Sequence, residues 1–174
     1  MANLSHSMVA EFLHYNLWAN LRLIEACLDL APEQLAASAP GAYGSIYNTL
    51  VHIIKAEAGY YRRLAGVSLD PPFSWEAAPS LSEIRSFAQR TGSALAQTAE
   101  QMQSSDSIPR NWNEAEWQGQ PAHYRAVGLL IQVVNHGVEH RTNITTIMAQ
   151  LGLEPPGLDG WEYMRLNPDR MGIS

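Results

Sequence analysis

Two histidines interrupt an otherwise aliphatic stripe in the last third of the sequence. Leu129, Val133, His136, His140, Ile144, Ile147 and Leu151 follow one another at spacings of four, three, four, four, three and four, which is one face of an α-helix. Side chains four apart on such a face lie about 5–6 Å from each other. His136 and His140 can therefore converge on one cation held at about 2.0–2.1 Å from each nitrogen. Two imidazoles left partly buried without partners cost about 1–3 kcal/mol each, and a shared cation meets both needs. The alternative is a pair of core histidines, each hydrogen-bonded to a neighbour.

A third ligand must come from another segment, and His52 is the best placed. Ser45, Thr49 and Ala56 flank it at helical spacing, a small and polar strip beside the apolar stripe of Ile46, Leu50 and Ile53. Small neighbours leave room for solvent at an open site. His6 lies close to the N-terminus, His14 reads as a core or surface residue, and His123 as a capping or surface residue. His136-Gly137-Val138-Glu139-His140 also matches the inverted zinc-protease motif H-x-x-E-H, with Glu139 as general base. That reading needs a further acidic ligand downstream. Glu154 and Glu162 are poor candidates in a tail interrupted by Pro155-Pro156, and Glu139 is expected to flank the site or face solvent.

The elements that must position these residues are helices. A first helix is predicted from about Ser7 to Leu30, with Leu13, Leu17, Leu21, Ile24 and Leu28 on one face. Pro32 ends it or opens a short turn, and residues 36 to 44 read as a loop. Ser45 is predicted to N-cap a second helix with Ile46, Leu50, Ile53, Tyr60 and Leu64 on its apolar side, closed by Gly66. After a proline-bearing loop, Ser80 or Ser82 caps a third helix running to about Gln103. Its apolar side is Leu81, Ile84, Phe87, Ala88, Leu95 and Met102, with Gly92 and Ser93 weakening its middle. Residues 104 to 122 form a long loop or a short irregular hairpin. The fourth helix runs from about His123 to Leu151, closed by Gly152, and a short last helix is expected from Asp159 to Leu166. The 174 residues thus predict a single all-α domain, 1–174, built as a four-helix bundle with long crossover loops and a short C-terminal helix.

Composition excludes several functions. The chain has 11 basic and 17 acidic residues, a net charge of −6, and one lysine, Lys55. It lacks the basic face that nucleic-acid binding requires. One cysteine excludes a disulfide framework and a cysteine-based zinc finger. Cys27 sits in an apolar helical stretch and reads as a buried thiol. The N-terminus shows no secretory signal and no stretch suits a membrane span, so a cytoplasmic protein without a membrane partner is expected. Trp75, Trp112, Trp117 and Trp161 fall outside the helical stripes and are expected to pack loops over the bundle or mark a pocket or dimer face.

Several motifs together resemble the DinB/YfiT-like superfamily. They are Tyr15-Asn16-Leu17-Trp18-Ala19-Asn20, then Gly44-Ser45-Ile46 and Leu50-Val51-His52-Ile53 with Ala56-Glu57, and Asn135-His136-Gly137-Val138-Glu139-His140-Arg141-Thr142-Asn143-Ile144. Leu151-Gly152 and the prolines beyond fit the family's usual helix end. The resemblance covers about residues 8 to 165. It implies an up-down-down-up bundle and one divalent ion, usually zinc or nickel, held by His52, His136 and His140. It also implies a homodimer and, by analogy with characterised members, transfer of a low-molecular-weight thiol to an electrophilic small molecule. Two positions depart from the pattern: Glu139 stands where many members have another histidine, and Asn143 where glutamine is common. The expected function is thus a metal-dependent small-thiol S-transferase. Alternatives are a hydrolase using a metal-bound water and a non-catalytic metal-binding stress protein. Glu57 and Tyr15 are candidate contacts behind the ligands, although a surface carboxylate and an aromatic core filler are their ordinary roles. Arg141, with Arg62 and Arg63, is a candidate for holding the carboxylates of a thiol cosubstrate, although solvated arginine is the default.

Overall fold

The structure, a computed structural model, describes residues 8–102, 107–109 and 123–171, and for 107–109, 123 and 124 the backbone only. His6, Trp112, Trp117 and all of the 104–122 connection except 107–109 lie outside the described residues, as does the side chain of His123. Four long helices carry the fold: α1 (Met8–Cys27), α3 (Ile46–Ala65), α4 (Leu81–Gln101) and α5 (Ala126–Gln150). Short helices α2 (Pro32–Leu35), α6 (Gly160–Leu166) and α7 (Pro168–Met171) complete the described set.

The predicted caps are formed. Ser45 Oγ accepts from the Asn48 N–H at 3.1 Å to open α3, and Gly66 closes it in the left-handed conformation, φ 73°. At α4, Ser80 Oγ and the Glu83 carboxylate satisfy each other's backbone N–H groups. Asp159 caps α6 by accepting from the Glu162 N–H at 2.9 Å.

Three predicted boundaries shift. The first helix stops at Cys27 rather than Leu30: Leu28 and Leu30 donate to the Glu25 and Cys27 carbonyls in tighter turns before extended Ala31 and Pro32 start α2. The third ends at Gln101. The fourth begins at Ala126 rather than His123, because β2 (His123–Arg125) pairs antiparallel with β1 (Ser107–Pro109) in a two-stranded ribbon. Leu28 and Leu151, each the last member of its predicted stripe, lie beyond the packed length of their helices and are exposed.

Helix directions follow from which residues meet. Glu25 pairs with Arg85 and Leu17 lies against Gly92, so α1 and α4 are antiparallel. The Tyr47 hydroxyl donates to the Pro79 carbonyl at the start of α4, and Tyr61 and Leu64 pack beside Leu95 and Ala99, so α3 and α4 are parallel. His52 meets His136 and Tyr60 meets Gln132, so α3 and α5 are antiparallel. Leu13 lies beside Leu130, and Asn20 bonds Arg141, so α1 and α5 are parallel. The bundle is up-down-down-up. Both α1 and α3 pack on α4 and α5 and face each other across the diagonal.

The apolar core is divided. One half holds Leu23, Ile24, Leu50, Ile84, Phe87 and Ile144 with their neighbours. The other holds Leu13, Leu95, Ala96, Ala99, Leu130 and Val133. Between them lies a buried polar layer of Asn16, Asn20, Glu57, Thr91 and Arg141. Trp75 packs with Phe73 against Phe87, holding the 67–79 loop on α4, whereas Trp161 is 80% exposed.

Gly92 marks the closest approach of α1 and α4. A Cβ built there would sit 2.6 Å from Leu17 Cδ1 and 2.9 Å from Leu17 Cβ. Alanine would gain about 1 kcal/mol of helix propensity but would force the helices apart at a typical overpacking cost of about 1–3 kcal/mol. Gly92→Ala is therefore expected to destabilise the fold in urea denaturation. A net gain in stability would show that α1 can yield at Leu17.

Candidate metal centre

The fold brings His52 from α3 and His136 and His140 from α5 into one cluster. One ligand nitrogen from each lies within 4.8 Å of the other two. His52 Nε2 and His136 Nε2 are 2.9 Å apart, and the His136 and His140 ring centroids 4.4 Å. His140 is buried and the other two are half-buried. Helix period explains the placement. His136 and His140 share the stripe with Val133 and Ile144, while His52 sits at the edge of the α3 stripe, where α3 turns toward antiparallel α5.

All three imidazoles are held below their ordinary pKa. Burial is the largest cause for each. The neighbouring His140 ring adds to it at His52 and His136, and His136 is pushed down to about 4. At His140, Glu139 partly offsets the burial. Neutral imidazole is the form that ligates metal, so this donor set fits a divalent ion. The 2.9 Å between His52 Nε2 and His136 Nε2 is also near the separation of about 3.3 Å that a tetrahedral ion with bonds of about 2.0–2.1 Å requires.

The pKa directions give a pH dependence. Protons compete with a cation only where the imidazoles titrate, and all three titrate below 6.5. Cobalt affinity is therefore expected to be nearly constant from pH 8 to 7 and to fall as pH drops below about 6. A steep loss already between pH 8 and 7 would show that the imidazoles are not held neutral.

Two tyrosines border the cluster. The Tyr43 ring stacks on His52 at 4.0 Å and 24° and meets His140 edge-on at 4.9 Å. Tyr60 meets His136 edge-on at 5.7 Å. Tyr43 comes from the 36–44 loop and remains 54% exposed. Its N–H donates to Asn143 Oδ1 at 2.7 Å, and Asn143 Nδ2 donates to the Glu139 carbonyl at 3.0 Å. The departure at Asn143 thus ties the loop to α5 beside the histidines. Nothing in the sequence around Tyr43 signals this, since the contact spans one hundred residues.

Glu57 and Arg141 differ from their ordinary expectations. Glu57 is 1% exposed and Arg141 3%; neither is a solvated surface group. Asn16 Nδ2 and Asn20 Nδ2 donate to Glu57 Oε1 at 2.6 and 2.7 Å. Arg141 Nη1 donates to Asn16 Oδ1 and Asn20 Oδ1 at 2.7 and 2.6 Å. Each asparagine therefore bridges carboxylate and guanidinium. Burial pushes Glu57 up to about 7, opposed by Asn16, Arg141 and Asn20. A signal existed in the sequence: Asn16 and Asn20 sit four apart among apolar α1 residues, and Glu57 follows Leu50, Ile53 and Ile54 on the buried side of α3.

The other candidates lie elsewhere. The Tyr15 hydroxyl donates to the Leu158 carbonyl at 2.8 Å, and its ring lies 5.9 Å from the Arg141 guanidinium carbon. Tyr15 thus fastens the C-terminal segment to α1. Arg62 is exposed and Arg63 half-buried at the far end of α3. His14 is half-buried on α1, the helix that carries none of the three. Glu139 and Glu154 are exposed, and Glu162 is engaged by Arg22 and Arg165. No acidic group joins the histidines among the described residues, as the protease motif would need. Cys27 is fully buried, and burial pushes its thiol up to about 12.

No helix among the described residues is long and apolar enough to cross a membrane. In comparison with known proteins, the family model described as the DinB family matches residues 1–171. No curated protein matches the chain.

Proposed function

The chain belongs to the DinB family, and from that premise we propose that it binds one divalent ion, zinc or nickel, through His52, His136 and His140 and transfers a small thiol to an electrophilic small molecule. The observation that carries the reading is the convergence of three depressed-pKa imidazoles within 4.8 Å. Bound there, the ion would favour the thiolate form of a cosubstrate. The chain's own thiol is unsuited to the role, because Cys27 is buried and strongly protonated. The nucleophile must therefore arrive as a small molecule. Tyr43 offers it an exposed aromatic wall against His52 and His140.

Titration of the cobalt-substituted protein with a panel of small thiols tests the reading. A saturable change in the visible spectrum is expected. Bound cobalt that ignores every thiol would remove thiol transfer and leave hydrolysis or non-catalytic metal binding. Failure to bind cobalt would remove the metal reading itself.

We also propose a homodimer. Met8, Phe12, Ile131 and Val138 are exposed on α1 and α5, and Phe12, Ile131 and Val134 line one apolar groove. Clustered exposed apolar side chains of this kind favour association, which supports the reading. Light scattering is expected to give twice the chain mass of 19.3 kDa. A monomer mass at micromolar concentration would overturn the proposal.

A further inference from the structure

We propose that the Asn16–Asn20–Glu57–Arg141 array is the positioning device of the histidine centre, setting the rotation of α5 and α3 through α1, which itself supplies no candidate ligand. The inference rests on the metal reading above. Its first support is where the array grips α5. Arg141 directly follows His140 and bonds both asparagines. Gly137 directly follows His136 and lies so close to Asn16 Oδ1 and Arg141 Nη1 that a Cβ there would collide with both. Each α5 histidine is thus followed by a residue held against α1, about 100° around the helix from the histidine face. On α3 the grip is Glu57, whose Oε1 accepts from both asparagines.

Apolar packing alone leaves helix rotation loosely specified, whereas the four directional hydrogen bonds by which Asn16 and Asn20 join Glu57 to Arg141 are kept only over a narrow range of helix rotation. The tolerance of the centre makes this matter. A rotation of α5 by about 10° carries a nitrogen roughly 7 Å from the helix axis through about 1 Å, against about 0.2 Å that metal–ligand bonds allow.

The second support is the set of buried polar side-chain atoms without a hydrogen-bond partner. Among the described residues these are Glu57 Oε2, Arg141 Nη2, His136 Nδ1 and His140 Nδ1. Glu57 Oε2 and Arg141 Nη2 belong to the array, and His136 Nδ1 and His140 Nδ1 to the histidine centre. Ligating histidines characteristically donate their second ring N–H to a carboxylate, carbonyl or water, and loss of such partners weakens metal binding about 10–100-fold. The array thus holds one carboxylate oxygen with spare acceptor capacity, and the histidine centre beside it along α5 holds two imidazole nitrogens without a partner.

The test is the Asn16→Ala/Asn20→Ala double variant, with Asn20→Ala alone as the milder change and Ile84→Ala as a control in the apolar core. Cobalt affinity, the cobalt visible spectrum and the imidazole carbon–proton NMR signals of the metal-free protein are measured for each. Cobalt binding is expected to weaken at least tenfold in the double variant, with an altered spectrum and displaced His136 and His140 signals. Ile84→Ala is expected to lower stability while leaving all three readouts at wild-type values. Wild-type affinity, spectrum and ring signals in the asparagine variants would overturn the inference. If the double variant does not fold, Asn20→Ala decides by the same readouts. If the wild-type protein binds no cobalt, the metal reading fails, and undisplaced ring signals in the metal-free variants would overturn the positioning role separately.

Discussion

His136→Ala is expected to abolish stoichiometric metal binding, lowering affinity by at least a hundredfold while the metal-free protein keeps its helical fold. His136 is chosen because its Nε2 meets His52 Nε2 at 2.9 Å across the two helices and its ring lies 4.4 Å from that of His140, so its removal breaks the proposed centre on both sides. Elemental analysis after exhaustive dialysis should find about one equivalent of zinc or nickel in wild type and none in the variant. Thermal unfolding provides a second readout. An ion present at about a hundred times its Kd stabilises the native state by about 2.7 kcal/mol, or about 5–10 °C for a domain of this size. That gain should vanish in His136→Ala. Equal sub-stoichiometric metal in both proteins, with equal melting temperatures, would mean that these histidines are not the ligands.

Glu57→Leu is expected to be the more damaging of the two single substitutions in the buried charged pair, costing about 3–5 kcal/mol. The asymmetry comes from proton chemistry. Without Glu57, Arg141 remains a buried guanidinium that cannot shed its charge. Without Arg141, Glu57 can take up a proton, and burial already places it at about 7. Arg141→Met should therefore cost less near neutral pH. The double variant should recover part of the loss, with Asn16 and Asn20 left short of partners. A double-mutant cycle in urea measures this. Additive losses would show that the two charges do not interact through the asparagines.

The same groups set the pH dependence of stability. The Glu57 pKa is raised from 4.5 to about 7 in the fold. Between those values the folded state binds the extra proton, so this group's contribution declines as pH rises. The histidines act oppositely. Their pKa values are lowered from 6.5, so the unfolded chain binds the extra protons and stability rises as pH climbs toward 6.5. Glu57→Gln should therefore steepen the rise in stability of the metal-free protein between about pH 5 and 6.5. An unchanged slope would place the Glu57 pKa near its ordinary value.

What the sequence by itself determined is local. Ser45, Gly66, Ser80 and Asp159 mark their helix ends because a cap is a contact between residues a few positions apart. His136 and His140 are identifiable as a pair because a helix places residues four apart on one face wherever it lies. The edge position of His52 is legible for the same reason. Only the tertiary structure decided the rest. The sequence marks Glu57 and Arg141 as candidates and places Asn16 and Asn20 among apolar residues, but that the four join in one array appears only when α1 and α3 face each other across the diagonal of the bundle. Tyr43 has no visible role until Asn143 ties its loop beside the histidines. Helical period tells which way a side chain points along its own helix. It does not tell which helix stands opposite or at what height. Those are set by the packing of the two apolar half-cores, and the polar layer between them is where that packing brings the histidines and their supports together.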